Sequence, residues 1–419
     1  MNKFLTSIIL IFLIGCSKED VYEPLPTPTP IPIENKLIDN FNIDYSKPSY
    51  FTSIPLPEVD YNYREFSNWG PPLDAVMLDF DNDGILDIVD SNSDYGTTNV
   101  NKLLFLKGNK DNTFSTNYSP GSFNGLVNGR KGIVNDFNSD SYPDMFFAGT
   151  GLDFEPWPGE HNVLLMNNGD GTFTETRYES NIGYFHSTAS GDLDNDGDLD
   201  ILALAPRVDN SYILYNSGGS FDLVPLRQET YDSYDNNNIL FYNYIGGNDD
   251  KYKFQMKFST EIVDYDNDGY DDIFLAGHEQ DYLGGDLTPS VIIKGSSEGY
   301  HDIIELPSLS PWSVITDIDF YDMNGDNIME IFLTRTQIDP FYESTFIQVI
   351  DGATLTDVTF NYFDYGVNEA RSYVDNPQRG WIYWMTIYNK DGEIYFTSND
   401  FSNNIKWKYS GGKFIKIAS

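Results

Sequence analysis

Short apolar runs recur along most of the chain, and each follows a cluster of acidic residues. Five such runs occupy residues 88–89, 145–147, 201–204, 273–275 and 331–333. They are too short for α-helices and rich in residues that favour strands. The pattern therefore predicts short β-strands, each entered directly from an acidic loop.

The clearest of these loops is the nine-residue segment 192–200, which has carboxylates at positions 1, 3, 5 and 9 and glycine at position 6. Calcium binds roughly six to eight oxygen ligands, and glycine permits the sharp turn that brings the position-7 carbonyl inward. Carboxylates this close repel one another unless a cation lies between them. The loop therefore predicts a calcium site, and its candidate ligands are Asp192, Asp194, Asp196, Asp198 and Asp200.

Four further segments repeat this pattern, two fully and two with changes. The candidate ligands in the two full copies are Asp79, Asp81, Asp83, the Ile85 carbonyl and Asp87, and Asp264, Asp266, Asp268, the Tyr270 carbonyl and Asp272. Those in the two degenerate copies are Asp136, Asn138, Asp140 and Asp144, and Asp322, Asn324, Asp326 and Glu330. Ser141 and Asn327 replace the glycine in the degenerate copies. The sequence thus predicts three full calcium sites and two degenerate ones.

The spacing of the five loops indicates a repeat array. Their first positions are 79, 136, 192, 264 and 322, so the steps are 57, 56, 72 and 58 residues. EF-hands do not fit, because an EF-hand loop ends in a glutamate at its twelfth position and lies between helices. Here the twelfth residue is Asp90 in the first copy and Ala203 in the third, and the flanks read as strands.

A second signature follows each loop, a Gly/Asn turn that begins another strand. The turns at 107–114, 167–173, 216–221, 294–300 and 409–414 are of this kind. One unit then reads as four strands, with the acidic loop between the first and the second. Four antiparallel strands in about 57 residues predict the blade of a β-propeller, so the fold class is all-β.

The acidic loops and the turn Asn167-Asn168-Gly169-Asp170-Gly171-Thr172-Phe173 resemble FG-GAP/VCBS repeats, the family that builds integrin-α-type propellers. The resemblance covers roughly residues 73 to 419 and implies a propeller with calcium in its loops. Six units are visible, and the sixth keeps only 391–393 in place of a loop, so no calcium site is expected there. Residues 39–72 and the C-terminal tail could close a further blade, and we expect seven blades rather than six.

The N-terminal segment predicts export and lipid anchoring. Residues 1–15 combine Lys3 with an apolar run too short to span a bilayer, which is typical of a signal peptide. The ending Leu13-Ile14-Gly15-Cys16 resembles a lipobox, which implies lipidation of Cys16, the only cysteine. Residues 16–35 read as a proline-rich tether and 36–419 as the calcium-binding propeller. We expect an outer-membrane lipoprotein displayed on the cell surface.

Charge narrows the choice of partners. The net charge of −40 and a pI near 4.1 argue against nucleic acid and anionic lipid. We therefore expect no nucleic-acid partner, and membrane contact through the lipid anchor only.

The longer loops predict a ligand face opposite the calcium loops, because strand alternation places the remaining connections there. The 72-residue step comes from an aromatic-rich insertion at 227–252. Loops on a rigid scaffold often carry binding residues. The candidate ligand-binding residues are Trp157, Arg207, His278, Tyr282, Arg335 and Tyr342.

These features favour a surface-anchored, calcium-stabilised binding protein for a polysaccharide or protein ligand. The alternatives are a polysaccharide lyase or hydrolase on the same scaffold, and a structural or adhesion component of an envelope complex. No zinc, nucleophile-elbow, Walker or dinucleotide motif is present, and no carboxylate pair is singled out by spacing. Enzyme activity is therefore left open, with binding preferred over catalysis.

Overall fold

The structure is a computed structural model. It describes residues 75–91, 98–110, 114–115, 118, 120–121, 123–178, 181–206, 211–226, 257–280, 289–300, 302–338, 345–364, 385–390, 392–398 and 405–417. The predicted signal peptide, Cys16 and the proline-rich tether lie outside these residues.

The first three sheets each contain four antiparallel strands in chain order. The first consists of β1 (Val76–Leu78), β2 (Asp87–Asp90), β3 (Leu104–Gly108) and β4 (Phe114–Ser115). The second consists of β5 (Gly129–Asn135), β6 (Asp144–Gly149), β7 (Val163–Asn167) and β8 (Phe173–Arg177). The third consists of β9 (Ser187–Gly191), β10 (Asp200–Leu204), β11 (Tyr212–Ser217) and β12 (Ser220–Pro225).

The remaining three sheets continue the same order. The fourth consists of β13 (Lys257–Val263), β14 (Asp272–Gly277), β15 (Val291–Lys294) and β16 (Asp302–Glu305). The fifth has three strands among the described residues, β17 (Val314–Tyr321), β18 (Glu330–Thr336) and β19 (Thr345–Ile350), followed by the one-turn helix α1 (Thr359–Tyr362). The sixth consists of β20 (Met385–Lys390), β21 (Glu393–Ser398), β22 (Ile405–Ser410) and β23 (Lys413–Ile417).

This arrangement is an all-β propeller with its first strands innermost. The innermost strands contact one another in sequence from β1 to β20. Every residue of β5, β9 and β17 is buried. Such strands are covered on both faces, so that even the polar residues in them are buried.

The expectation of seven blades is wrong, because the described residues form six sheets. The C-terminal strand β23 is already the outer strand of the sixth sheet, where it pairs with β22, so it is not free to complete another blade. Tyr388 and Tyr395 of the sixth sheet belong to the same apolar cluster as Met77, Ile88 and Leu106 of the first, a cluster that also includes residues of the fourth and fifth sheets. Residues 39–72, the other part of the expected seventh blade, lie outside the described residues.

Apolar side chains fill the spaces between sheets. Between the first and second sheets, the Phe105 ring lies 5.6 Å from both Phe123 and Phe173, and 5.8 Å from Phe80. Fully burying a side chain of this kind contributes about 1.5–3 kcal/mol. Among the described residues, no helix is long and apolar enough to cross a membrane.

Candidate metal centre

All five acidic loops lie at one end of the propeller. Each connects the first strand of its sheet to the second, as between β9 and β10 or between β13 and β14. Because the innermost strands are equivalent from sheet to sheet, these loops share one face. The sixth sheet has only a short turn between β20 and β21, so no loop of this kind is present there.

Local hydrogen bonds explain how the loop sequence folds. In the third loop the Asp192 carboxylate accepts the N–H groups of Asp196 and Gly197, each at 3.0 Å. The Asp196 carboxylate accepts the N–H of Asp198 at 2.9 Å. The chain is left-handed at Asn195 (φ 63°) and Gly197 (φ 94°), conformations that asparagine and glycine tolerate best.

The first and fourth loops repeat these bonds. Asp79 accepts the N–H of Gly84 at 2.7 Å, and Asp264 accepts that of Gly269 at 2.9 Å. The N–H groups of Ile85 and Tyr270 donate to Asp83 and Asp268. The three full copies therefore share one backbone conformation as well as one sequence pattern.

The ninth-position carboxylate has a structural role that the sequence reasoning did not identify. Asp200 is fully buried and accepts the N–H of Leu193 at 2.8 Å and that of Asn216 at 2.7 Å, which ties the loop to β11. Asp87 makes the equivalent bonds to Phe80 and Gly108. Burial raises the pKa of Asp87 to about 7 and that of Asp200 to about 8. A cation bound beside these groups would favour their charged forms instead.

Three groups of carboxylates have the composition of a calcium site. In each, the oxygens of positions 1, 3 and 9 lie within 4.8 Å of one another, and the groups are Asp79–Asp81–Asp87, Asp192–Asp194–Asp200 and Asp264–Asp266–Asp272. The buried Oδ1 atoms of Asp81 and Asp266 have no hydrogen-bond partner among the described residues. An orphaned carboxylate oxygen of this kind fits an oxygen-binding cation.

Two of the three groups already contain a lysine ammonium. Lys294, at the end of β15, lies 2.7 Å from Asp266, 3.0 Å from Asp272 and 3.4 Å from Asp268. Burial acts to lower the pKa of Lys294, but the Asp272 and Asp266 carboxylates raise it above its ordinary value. Lys107 at the equivalent position of β3 contacts Asp81 and lies 3.0 Å from Asp83.

The degenerate loops keep the backbone of the full copies. Ser141 (φ 72°) and Asn327 (φ 68°) adopt the left-handed conformation of the glycine they replace. Their third positions are amides, and these donate internally: Asn138 Nδ2 to Asp140 at 3.0 Å, and Asn324 Nδ2 to Glu330 at 2.8 Å. Each degenerate loop thus offers one carboxylate fewer, and an amide N–H partly satisfies those that remain.

The six predicted ligand-binding residues have different placements. Arg207, Tyr282 and Tyr342 lie outside the described residues. Trp157, between β6 and β7, is 45% exposed, and Phe154 beside it is 51% exposed. This loop lies at the end opposite the acidic loops, as predicted.

His278 and Arg335 lie at that same end but are fully buried. The Arg335 guanidinium donates to Glu279 at 2.9 Å, to Gln348 at 2.6 Å and to the Pro307 carbonyl at 2.8 Å. Lys257 Nζ donates to the His278 carbonyl at 3.1 Å. These contacts give Arg335 a packing role, and a ligand role for either residue stays a prediction.

Sequence reasoning missed a polar cluster near these residues, formed by Arg130, Asp153, Tyr184 and His186. Arg130 Nη1 lies 3.6 Å from Asp153, and the Tyr184 hydroxyl donates to the same carboxylate. The Tyr184 and His186 rings are 4.5 Å apart, edge to face. Burial, with the charges of Arg130 and His278, holds the pKa of His186 well below its usual range, so its imidazole is neutral at pH 7.

A signal for this cluster was present in the repeats. Arg130 and His186 both lie six residues before the first position of their acidic loops, Arg130 at the second residue of β5 and His186 immediately before β9. Equivalent positions of a propeller converge on its axis. Aligning the repeats by their loops would therefore have brought these two residues together.

One stretch of the chain matches a known family of repeats. Residues 136–203 match the family model for FG-GAP-like repeats, which confirms the predicted resemblance over that stretch. It spans the second acidic loop, the NNGDGTF turn and the third acidic loop. No curated protein matches the chain.

Several solved structures are similar to this chain at low sequence identity. BBS1N in complex with ARL6DN is 9% identical and has a TM-score of 0.40, with 87% of this chain and 99% of that chain covered. A mutant of AofleA from Arthrobotrys oligospora is 9% identical, with a TM-score of 0.37 and coverage of 84% and 89%. A putative exo-beta-1,3-galactanase from Bifidobacterium bifidum s17 is 8% identical, with a TM-score of 0.37 and coverage of 88% and 97%. At these scores the likeness indicates nothing about ligands. The chain is a β-propeller that contains FG-GAP-like repeat sequence.

Proposed function

We propose that this protein is a calcium-stabilised binding propeller that captures a polysaccharide or protein ligand at the cell surface. The observation that carries the proposal is the occurrence of three carboxylate groups, each within 4.8 Å, on one face of the propeller. They are held in the same backbone conformation by the same internal hydrogen bonds. Such a set supports a repeated cation site better than a set of unrelated acidic turns.

Calcium would serve these loops as a structural ion. The position 1, 3, 5 and 9 carboxylates and the position-7 carbonyl would hold it in the loops at 79–87, 192–200 and 264–272. The loops at 136–144 and 322–330 are weaker candidates because each has an amide at its third position. Calcium neutralises clustered charge and so stabilises the folded state, which alone assembles the site.

The face away from these loops is the proposed ligand face. Trp157 and Phe154 expose apolar rings there, and a flat exposed ring can stack on a sugar or pack against a protein surface. The strongly acidic charge of the chain disfavours nucleic acid. An adhesion or envelope-assembly role would use the same face.

Lipid anchoring completes the proposal. The apolar segment 4–14 followed by Cys16 is the feature that supports it, together with the proline-rich stretch 24–32. In extended form that stretch would hold the propeller about 30 Å from the membrane. We propose outer-membrane attachment with the propeller on the outer face.

The second candidate function is catalysis, and the cluster of Arg130, Asp153, Tyr184 and His186 favours it. A neutral imidazole can act as a general base, and a tyrosine hydroxyl beside it can donate a proton. The Arg130 guanidinium is a group that can bind the carboxylate of an acidic sugar. This combination suits a polysaccharide lyase or hydrolase.

One experiment separates the two candidates. The protein is incubated in calcium with neutral and acidic polysaccharides, and both retention and release of shorter products are measured. Retention without products supports binding, and Trp157→Ala should then weaken retention while His186→Gln leaves it unchanged. Products that His186→Gln abolishes would establish catalysis. If the protein neither retains a polysaccharide nor releases products from one, the search turns to a protein ligand.

Calcium is tested separately by thermal melting in excess calcium and in chelator. Calcium that binds only the folded state raises the melting temperature. An identical melt in the two conditions would overturn the structural role of the loops.

A further inference from the structure

One position on the third strand of the sheet distinguishes the three full acidic loops. The first apolar residue of the second strand pairs with a residue of the third strand, and the position in question is the next residue along that third strand. In the pairing register, Ile88 faces Leu106, Ile201 faces Leu214 and Ile273 faces Ile293. The next residue in each third strand is Lys107, Tyr215 and Lys294, respectively.

The pairing register of the second and third strands places this residue next to the acidic loop. Its neighbour donates a backbone N–H to the ninth-position carboxylate in all three loops, from Gly108, Asn216 and Gly295 at 2.7–2.8 Å. The side chain one residue earlier therefore projects from a point anchored to the acidic loop. A long cationic side chain at this position delivers its charge to the carboxylates.

Lys107 and Lys294 make this contact. The Lys294 ammonium touches three carboxylates of its loop within 3.4 Å, and the Lys107 ammonium touches two. By contrast, no lysine or arginine among the described residues forms an ion pair with Asp192, Asp194, Asp196, Asp198 or Asp200. The third loop has Tyr215 at the position in question.

We infer that Lys107 and Lys294 are built-in competitors for calcium, so that the loop at 192–200 is the high-affinity site and the loops at 79–87 and 264–272 are weaker ones. This inference rests on the proposed calcium function and adds to it an order of occupancy. An ammonium and a calcium ion that use the same carboxylates exclude or repel each other. The lysines would also hold the first and fourth loops together when calcium is scarce.

The difference in affinity between the loops determines how the protein responds to calcium. At low calcium the first and fourth loops keep their internal cations, and only the third loop depends on the ion. At high calcium all three loops are filled. One face of the propeller can therefore bind calcium in two steps rather than one.

The test is a calorimetric calcium titration of the purified full chain and of four variants. Lys294→Met and Lys107→Met keep most of the hydrocarbon stem and remove the charge. Tyr215→Lys introduces the competitor into the third loop, and Asp194→Asn removes a ligand from it. Far-UV circular dichroism checks that each variant is folded.

The inference predicts a tight step and a weaker step in the unmodified protein. Lys294→Met and Lys107→Met should each strengthen the weaker step, by about tenfold or more. Tyr215→Lys should weaken the tight step by a similar factor, and Asp194→Asn should abolish it.

Thermal melting gives an independent readout. Lys294→Met should melt at a lower temperature than the unmodified protein in chelator, because three carboxylates lose their counter-charge. Its gain in melting temperature on adding calcium should be larger.

The outcomes separate this inference from the proposed function. Calcium binding in a single step that neither lysine variant changes would overturn the inference and leave the calcium function intact. No calcium binding by the unmodified chain or by either lysine variant would overturn both. Loss of the weak step in Asp194→Asn, with the tight step retained, would reverse the assigned order and also refute the inference.

Discussion

Lys131 of β5 forms an ion pair with Glu261 of β13, although these strands belong to the second and fourth sheets, which are not neighbours in the ring. Both side chains are buried, and Lys131 Nζ also donates to the Thr260 carbonyl at 3.0 Å. Two further buried carboxylates come from β17: Asp317 accepts the N–H of Met385 at 2.6 Å, and Asp319 accepts that of Ile387 at 2.7 Å. Three of these four buried groups in the middle of the propeller are therefore acids, and one is a base.

The first prediction concerns pH. Burial raises the pKa of Glu261 from 4.5 to about 7, although the charge of Lys131 opposes the shift. Between these values the folded state binds more protons than the unfolded state, so the free energy of unfolding falls as pH rises from about 4.5 to 7. Glu261→Gln removes this titration and should flatten the fall by at most about 1.4 kcal/mol per pH unit. Urea unfolding across this range, in saturating calcium, measures the slope.

The control for that experiment accounts for the nearby charged groups. Asp317 and Asp319 also have raised pKa values, chiefly because they are buried, and their contribution remains in the variant. Where Glu261 is charged, towards pH 7 and above, Glu261→Gln also removes the ionic partner of Lys131, which offsets the stability of the variant. The double variant with Lys131→Met removes that offset. Parallel slopes for the unmodified protein and Glu261→Gln would contradict the prediction.

The second prediction separates anchoring from metal binding within one loop. Asp200 accepts two backbone N–H groups, and Asn at this position would turn a donor toward one of them. Asp200→Asn should therefore cost about 1–3 kcal/mol of unfolding free energy in chelator as well as in calcium.

Asp194→Asn is the matched variant, because Asp194 contributes to the carboxylate group without this anchoring role. It should leave stability in chelator near that of the unmodified protein and reduce the gain from calcium. Urea unfolding with and without calcium measures both effects. Equal losses in chelator for the two variants would contradict the assigned roles.

How much the sequence could predict depends on how local each feature is. The acidic loop was predictable because its hydrogen bonds close within nine residues, as from Gly197 back to Asp192. The number of blades was not, because it depends on the partner of the last strand, and β23 pairs with β22 rather than with an N-terminal segment. Ring closure is a long-range property that spacing alone leaves open.

The burial of Arg335 was unpredictable for a related reason. An arginine at the end of a predicted strand is usually solvent-exposed. Here Glu279 from the fourth sheet and the Trp312 carbonyl converge on its guanidinium. Those partners are 56 and 23 residues away in the chain. The cluster of Arg130, Tyr184 and His186 was missed because its members come from different repeats.

The third prediction concerns the N-terminus. If Cys16 carries the lipid, Cys16→Ser should move the protein from the detergent phase to the aqueous phase in a phase-separation assay. Lys18→Ala, two residues away, should leave it in the detergent phase. Mass spectrometry of the N-terminal peptide identifies the modification. An aqueous unmodified protein, or a detergent-phase Cys16→Ser variant, would contradict lipid anchoring.

The fourth prediction concerns whether Arg335 stabilises the fold or contacts a ligand. Its guanidinium is fully buried, and Glu279 is its ionic partner at 2.9 Å. Removing one member of a buried ion pair leaves the other charge poorly compensated and costs about 3–5 kcal/mol. Arg335→Met should lose stability on this scale. The double variant with Glu279→Gln should lose less than the sum of the two single variants.

Ligand retention provides the second readout for Arg335. At a temperature where Arg335→Met is still folded, a packing role predicts that the retained polysaccharide or protein ligand is unchanged, because the side chain has no exposed surface. Trp157→Ala is the opposite case: its exposed ring contributes little to folding, so retention should fall while the melting temperature stays the same. If Arg335→Met lost the ligand while keeping its stability, the burial-based assignment would be wrong and Arg335 would belong to the ligand face.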